Sequence, residues 1–436
     1  MYGDSTRGLV VDTALFTGST IIEQTNRNIH PTSSDVISQV GQSQCERLTI
    51  RSHLAIILLI ALILDQLALE WRILGIFLPT DENFLNLSSK HIIIFVPGLM
   101  GTELRYVGEG PSKEYQNYPV WGEDLEVLLH CLAGDPNVLA RELVPGKVIS
   151  ELRVLGGIRR PVYQPLLDFL VDEMKYVTGS TLFPFGYDWR KDLNSIANSL
   201  GRFIKQLKNW EDVSFIFIAH SMGSLAVRLL LSNASYIDIR DKTRRVIQVA
   251  PPTKGSSKAC YTLKHIPEFN VFLDTIINLK SRLKPRLLLH LMEVLRGFDS
   301  LYQLLPPISE PILQQETGDR YSAMEERVWA NQYHPKVRIA REVQQQFSES
   351  SFPSTLTIYG TELATPQDYL VDQDFKIIDK IPSPVKGDGT VSMSSATYAC
   401  PSETRFPISN VTATHDSLPN HQDFFRCLRT ELSRLT

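Results

Sequence analysis

The chain has 436 residues, 43% of them hydrophobic, and a formal net charge of −4. That length suits one large enzyme domain with insertions, or two or three layers of structure, and excludes a small binding module. Lys and Arg are spread along the chain without a basic stripe, which argues against nucleic acid as a partner. The five cysteines (Cys45, Cys131, Cys260, Cys400, Cys427) form no C-x-x-C and no metal-ligand spacing with histidine, so no metal site, cofactor or disulfide scaffold is expected.

Residues 1–52 are rich in Ser, Thr, Asn and Gln without a sustained period and read as a disordered or loosely attached arm. Residues 53–89 are an apolar segment and linker. Leu54 to Leu64 is uninterrupted apolar sequence, but Asp65, Gln66, Glu70 and Arg72 follow before the next apolar stretch. Eleven apolar residues fall short of the roughly 20 that cross a bilayer. Three readings stand for residues 54–78: a helix in contact with a membrane surface, an export signal set far from Met1, and a helix packed on the following domain.

From Lys90 the texture changes to alternating strand-like and helix-like segments. "HIIIFVPGLMG" is a buried strand that runs into Pro97-Gly98 and Gly101, a loop whose glycines let the backbone approach a ligand. It offers the N–H of Leu99 as one donor to an oxyanion. "YQPLLDFLVDEMKYV" (163 to 177) and "LNSIANSLGRFIKQLKNW" (193 to 210) have helical amphipathic spacing. Between them "FPFGYDWRKD" joins aromatic bulk to Asp188 and Arg190 and reads as a packed crossover loop with a buried ion pair, with direct substrate contact the alternative.

"VSFIFIAHSMGSLAVRLLL" (213 to 231) passes from a strand buried on both faces into a helix within about two residues. Ala219-His220-Ser221-Met222-Gly223 at the junction is G-x-S-x-G with alanine for the first glycine. Such an elbow exposes Ser221 Oγ above the sheet as a nucleophile and supplies the N–H of Met222 as a second oxyanion donor. His220 leaves the turn in another direction and is expected to pack or hydrogen-bond. "RVIQVAPP" is the next strand, residues 256–350 hold no convincing strand and read as a helical cap, and "STLTIYG" resumes the sheet.

In "VKGDGTV", Gly387 and Gly389 permit a sharp turn that aims Asp388 inward, toward an imidazole. The terminal stretch "TATHDSLPNHQDFF" offers His415 and His421; either completes the chain order Ser…Asp…His, in which the histidine takes the serine proton. The alternation of strands and helices predicts an α/β fold with a mostly parallel central sheet and ligands at the carboxyl ends of its strands.

With "VPGLMG", "FPFGYDWR", "AHSMGS", "IYGTELATP" and "GDGTV" in this order, the chain from Lys90 onward resembles the lecithin:cholesterol acyltransferase family. The resemblance implies an α/β-hydrolase core in two parts, 90–255 with a lid-like segment near 110–150 and 351–436, interrupted by the helical cap of 256–350. It implies Ser221 as nucleophile, Asp388 and a C-terminal histidine as its partners, and Leu99 and Met222 as oxyanion donors. "LPNHQDFF" matches the family's histidine segment better than "TATHDSL", which favours His421, and Trp121 falls at a lid aromatic of the family's acyl site. The implied partners are a lipid ester of the phospholipid class and a lipid alcohol acceptor; the alternatives are a soluble carboxylesterase or lipase, and a non-catalytic lipid-binding protein on the same fold. The family's lid disulfide is absent, since only Cys131 lies in that region.

Overall fold

The computed structural model describes residues 91–106, 119–154, 158–265, 285–349, 354–382 and 384–435; the arm and the 54–78 segment lie outside them. Its centre is a six-stranded sheet built from β1 (His91–Val96), β2 (Leu182–Pro184), β3 (Ser214–His220), β4 (Thr243–Val249), β5 (Thr355–Gly360) and β6 (Arg405–Ile408). The spatial order is β6-β5-β4-β3-β1-β2, and every pairing is parallel. Parallel strands covered on both faces read as continuous apolar runs: Ile92 to Val96 and Phe215 to His220 are all buried.

Two hydrophobic layers sandwich the sheet. On one face lie α1 (Leu193–Lys205), α2 (Met222–Ser232) and α4 (His334–Glu349), packed against Ile92, Ile94, Phe215 and Phe217. α1 begins where the Asp192 side chain accepts from the Ser195 N–H and ends with Arg202 and Lys205 in its last turn, satisfying first-turn donors and matching the helix dipole. α2 is buried from Met222 through Leu231, as the central helix of a three-layer structure must be. On the other face Ile93, Phe95, Ile216 and Ile218 meet the 163–176 segment and α5 (Gln422–Leu435), where Phe169 and Phe425 stack at 4.7 Å.

The 163–177 segment forms a helix over Gln164–Asp168 that continues as a wider π turn over Phe169–Glu173. The block between β4 and β5 contains the helices α3 (Ser257–Lys264) and α4, and, where no strand was expected, two short strands, Leu313–Gln315 and Arg320–Tyr321. They form a small sheet with Tyr369–Val371, residues from beyond β5, so a two- or three-residue pairing too short to leave a sequence period ties this block to the core. The end of the block belongs to the sheet's covering layer: Arg228 of α2 donates to the Phe347 carbonyl of α4 at 3.0 Å.

The "FPFGYDWR" block lies at the carboxyl end of β2. Arg190 is bidentate to Asp188, at 2.8 and 2.7 Å, and donates to the carbonyls of Leu139 and Arg141. The pair is nearly closed to solvent, with side-chain exposures of 6% and 10%, so the crossover-loop reading describes it. Removing one partner leaves a buried charge uncompensated. Asp188→Ala is therefore expected to lower the unfolding free energy by about 3–5 kcal/mol, read as the midpoint shift in urea denaturation; a shift below about 1 kcal/mol would mean that Arg190 finds solvent.

Candidate active site

The loops that follow β1, β3, β5 and β6 all open on the same end of the sheet, and each brings one part of the site. Ser221 directly follows β3 with φ 52° and ψ −126°, a backbone region that costs a non-glycine residue about 1–3 kcal/mol. Neighbouring packing imposes it. The Ser221 N–H donates to the Val249 carbonyl of β4 at 2.8 Å. A Cβ at position 223 would stand 2.3 Å from the Pro97 carbonyl oxygen and 2.6 Å from that of Val96, so only glycine lets α2 start this close to β1. Ala219 fits fully buried at the other small position.

Asp388 is held in a turn of its own making. Its Oδ1 accepts from the N–H groups of Thr390 and Val391 at 2.9 and 2.7 Å. Gly389 has φ +84°, and a Cβ on Gly387 would lie 2.3 Å from the Val391 carbonyl oxygen; both glycines are therefore needed for the turn. The carboxylate's other oxygen, Oδ2, accepts from His415 Nδ1 at 2.8 Å, and His415 Nε2 stands 2.8 Å from Ser221 Oγ. Asp388 is an acceptor when ionised, which places the imidazole proton on Nδ1 and leaves Nε2 to accept from the Ser221 hydroxyl.

The histidine that meets Ser221 and Asp388 is thus His415, and the expectation of His421 is corrected. His421 sits at the start of α5, where its Nδ1 accepts from the Asp423 N–H at 3.2 Å and its carbonyl from Phe425. It caps a helix. The proline-led context that favoured it marks a helix start, which is a local signal, whereas His415 reaches the serine only because β6 and β3 run parallel in one sheet with β4 and β5 between them.

Trp121 is also corrected. It is buried among core residues, edge-on to Trp189 at 5.4 Å, and does not line the cavity beside Ser221. Its Nε1 donates to the Met100 carbonyl at 2.8 Å, so it braces the loop after β1 from below. Tyr187 and Trp189 do the same, donating to the carbonyls of Pro97 at 2.7 Å and Thr102 at 3.1 Å. Leu99 lies on this loop and at the cavity, next to Met100 with φ 65°. Met222 opens α2, where first-turn N–H groups lack intrahelical partners.

Sequence reasoning did not single out Tyr163 or Asp416. Tyr163 is one aromatic among several on a helical face in sequence, and Asp416 adjoins His415, the less favoured of the two candidate histidines. Both line the cavity, with Leu99, Ser221, Lys258 and His415. Its volume is about 180 Å3, room for about a dozen water-sized groups at about 15 Å3 each. Much of the wall is apolar, including Leu301, Leu304 and Val391.

Two buried histidines here are driven in opposite directions. Burial lowers His220 well below the ordinary imidazole range, with the neighbouring His415 charge acting the same way. Burial also pulls on His415, but the Asp388 carboxylate, through its charge and its hydrogen bond, and Asp416 by charge together raise it. Asp416 opens onto the cavity, and desolvation by the cavity walls raises its carboxyl. Among the described residues no group of three or more His, Cys, Asp or Glu is arranged to hold a metal ion, and no helix is long and apolar enough to cross a membrane.

Residues 148–280 match the family model described as lecithin:cholesterol acyltransferase. No curated protein sequence matches the chain. Among solved structures, the Tle4-Tli4 complex superposes with a TM-score of 0.52 at 12% identity, covering 77% of this chain and 96% of that one. The Bacillus licheniformis lipase BlEst2 in mature form scores 0.37 at 12% identity, covering 81% and 95%. The Staphylococcus hyicus lipase scores 0.35 at 14% identity, covering 82% and 98%. The parallel sheet with a serine elbow at its carboxyl edge is an α/β-hydrolase fold, and the family match supports a lipid-acting hydrolase or acyltransferase.

Proposed function

We propose that the protein is a serine-dependent enzyme of lipid esters that works through an acyl-Ser221 intermediate and passes the acyl group to a lipid alcohol or to water. The observation that carries this reading is the hydrogen-bonded chain from Ser221 Oγ through His415 to Asp388, at the edge of a largely apolar cavity. Ser221 Oγ attacks the ester carbonyl as its proton passes to His415 Nε2. The carbonyl oxygen becomes an oxyanion, for which the N–H groups of Leu99 and Met222 are the donors. His415 then gives the proton to the leaving alcohol oxygen as the ester C–O bond breaks. The second half repeats these steps with the acceptor hydroxyl as nucleophile, and Ser221 recovers its proton. Asp388 holds the Nδ1–H tautomer and stabilises the imidazolium.

The test uses phospholipid vesicles containing a sterol or diacylglycerol, with free fatty acid and newly esterified acceptor both quantified. Ser221→Ala and His415→Ala are each expected to lose activity by at least about 10^3-fold, while His421→Ala stays within about threefold once its folding is matched. Esterified acceptor identifies an acyltransferase; fatty acid alone identifies a phospholipase toward these substrates. Activity that survives Ser221→Ala would overturn the reading, and activity on soluble short-chain esters alone would favour the carboxylesterase alternative.

A base must be neutral to accept a proton, so activity is expected to rise with pH through the His415 titration, above the ordinary histidine range. Removing the Asp416 charge withdraws one of the influences that raise His415. Asp416→Asn is therefore expected to move the acid limb of the kcat/KM profile to lower pH. A limb that stays in place or moves up would show that the Asp416 charge does not reach the imidazole.

A further inference from the structure

One buried group of the site takes no part in the reaction just described. His220 is 4% exposed, and both its ring nitrogens are engaged: Nε2 lies 3.0 Å from the His415 carbonyl oxygen and Nδ1 lies 2.8 Å from the Tyr163 hydroxyl. The same hydroxyl lies 2.9 Å from the Gly98 nitrogen. Chemistry leaves this chain a single direction. The His415 carbonyl can only accept, so the His220 proton is on Nε2; Nδ1 then accepts from the Tyr163 O–H, whose oxygen in turn accepts the Gly98 N–H. Burial keeps His220 neutral, as this assignment requires.

Three loops that meet only in the folded state are joined by these three bonds: the loop after β1 at Gly98, the elbow beside Ser221, and the loop after β6 at His415. The chain also occupies the Gly98 N–H, which therefore does not face the cavity as a free donor. Tyr163 is fixed independently, its ring edge-on to Phe95 at 4.9 Å and to His220 at 5.7 Å.

We propose that Tyr163 and His220 are positioning residues, which hold the oxyanion loop and the His415 backbone at a set distance from Ser221 through one directed hydrogen-bond chain. The proposal rests on Ser221 and His415 acting as nucleophile and base. It does not rest on the substrate being a lipid.

The test therefore measures two reactions. The first is inactivation by a p-nitrophenyl phosphonate, in which Ser221 Oγ forms a bond to phosphorus, nitrophenolate leaves with the electrons of the broken P–O bond, and the serine proton goes to His415. Tyr163→Phe keeps the ring and removes both hydroxyl bonds; it is expected to slow this inactivation about tenfold, as loss of one to two buried hydrogen bonds would. The second is turnover of a preferred ester, where kcat should fall by a similar factor with KM within about twofold. His220→Gln, which can still donate to the His415 carbonyl, is expected to keep more of the inactivation rate than His220→Ala. Tyr163→Phe combined with His220→Ala should cost less than the product of the two single effects, because both act on one chain. An unchanged inactivation rate in Tyr163→Phe, a change confined to KM, or fully multiplicative single effects would each overturn the proposal. Wild-type protein that does not react with the phosphonate would overturn it together with the nucleophile assignment, whereas a failure of lipid turnover alone would leave the inactivation result standing.

Discussion

The left-handed backbone of Ser221 is the constraint on which the site depends. A serine at φ 52° has no local reason to stay there. It is held because its N–H is claimed by Val249 on the neighbouring strand, because Gly223 allows α2 to abut the carbonyls of Val96 and Pro97, and because α2 is buried along most of its length. The strain is thus balanced by the central layer of the protein. A packed interior has discrete rather than continuous ways to rearrange, so the hydroxyl stays where the turn puts it.

A second layer of order comes from rings. The loop after β1 lies at the cavity, and its carbonyls need partners. Trp121, Tyr187 and Trp189 supply them to Met100, Pro97 and Thr102. Each such bond is worth only about 1 kcal/mol net, but a buried carbonyl without one loses more. Aromatic donors suit the task because the ring fills core volume while its polar edge reaches the backbone. The aromatic and charged block from Phe183 to Arg190 owes its composition to this bracing and to the buried Asp188–Arg190 pair.

Electrostatics separates two histidines whose rings lie 5.0 Å apart. They share burial and differ in neighbours. Asp388 compensates the charged form of His415, and no carboxylate does so for His220, whose partners are a hydroxyl and a carbonyl. The charged form is therefore favoured in one ring and disfavoured in the other, which stays neutral with a fixed tautomer.

How much of this was legible in the sequence follows the range of each signal. The buried strands, the serine turn and the glycine-flanked Asp388 were legible because the constraint and the residues that meet it are neighbours in the chain: a crowded turn asks for Ala219 and Gly223, and a tight loop asks for Gly387 and Gly389. The α/β class was legible for the same reason, as the sum of local periods. His415 against His421 was not, since both follow the last strand in polar sequence, and the stronger local pattern, "LPNHQDFF", was that of a helix cap. Trp121 and Tyr163 were misread or passed over because an aromatic in sequence does not say which backbone atom its polar edge will meet. The sequence by itself determined the elements, the elbow and the residue types of the site. Only the tertiary structure decided which histidine completes the hydrogen-bonded chain and which rings brace it, because those choices are set by parallel strand order, which joins residues nearly 200 positions apart, as Ser221 and His415 are.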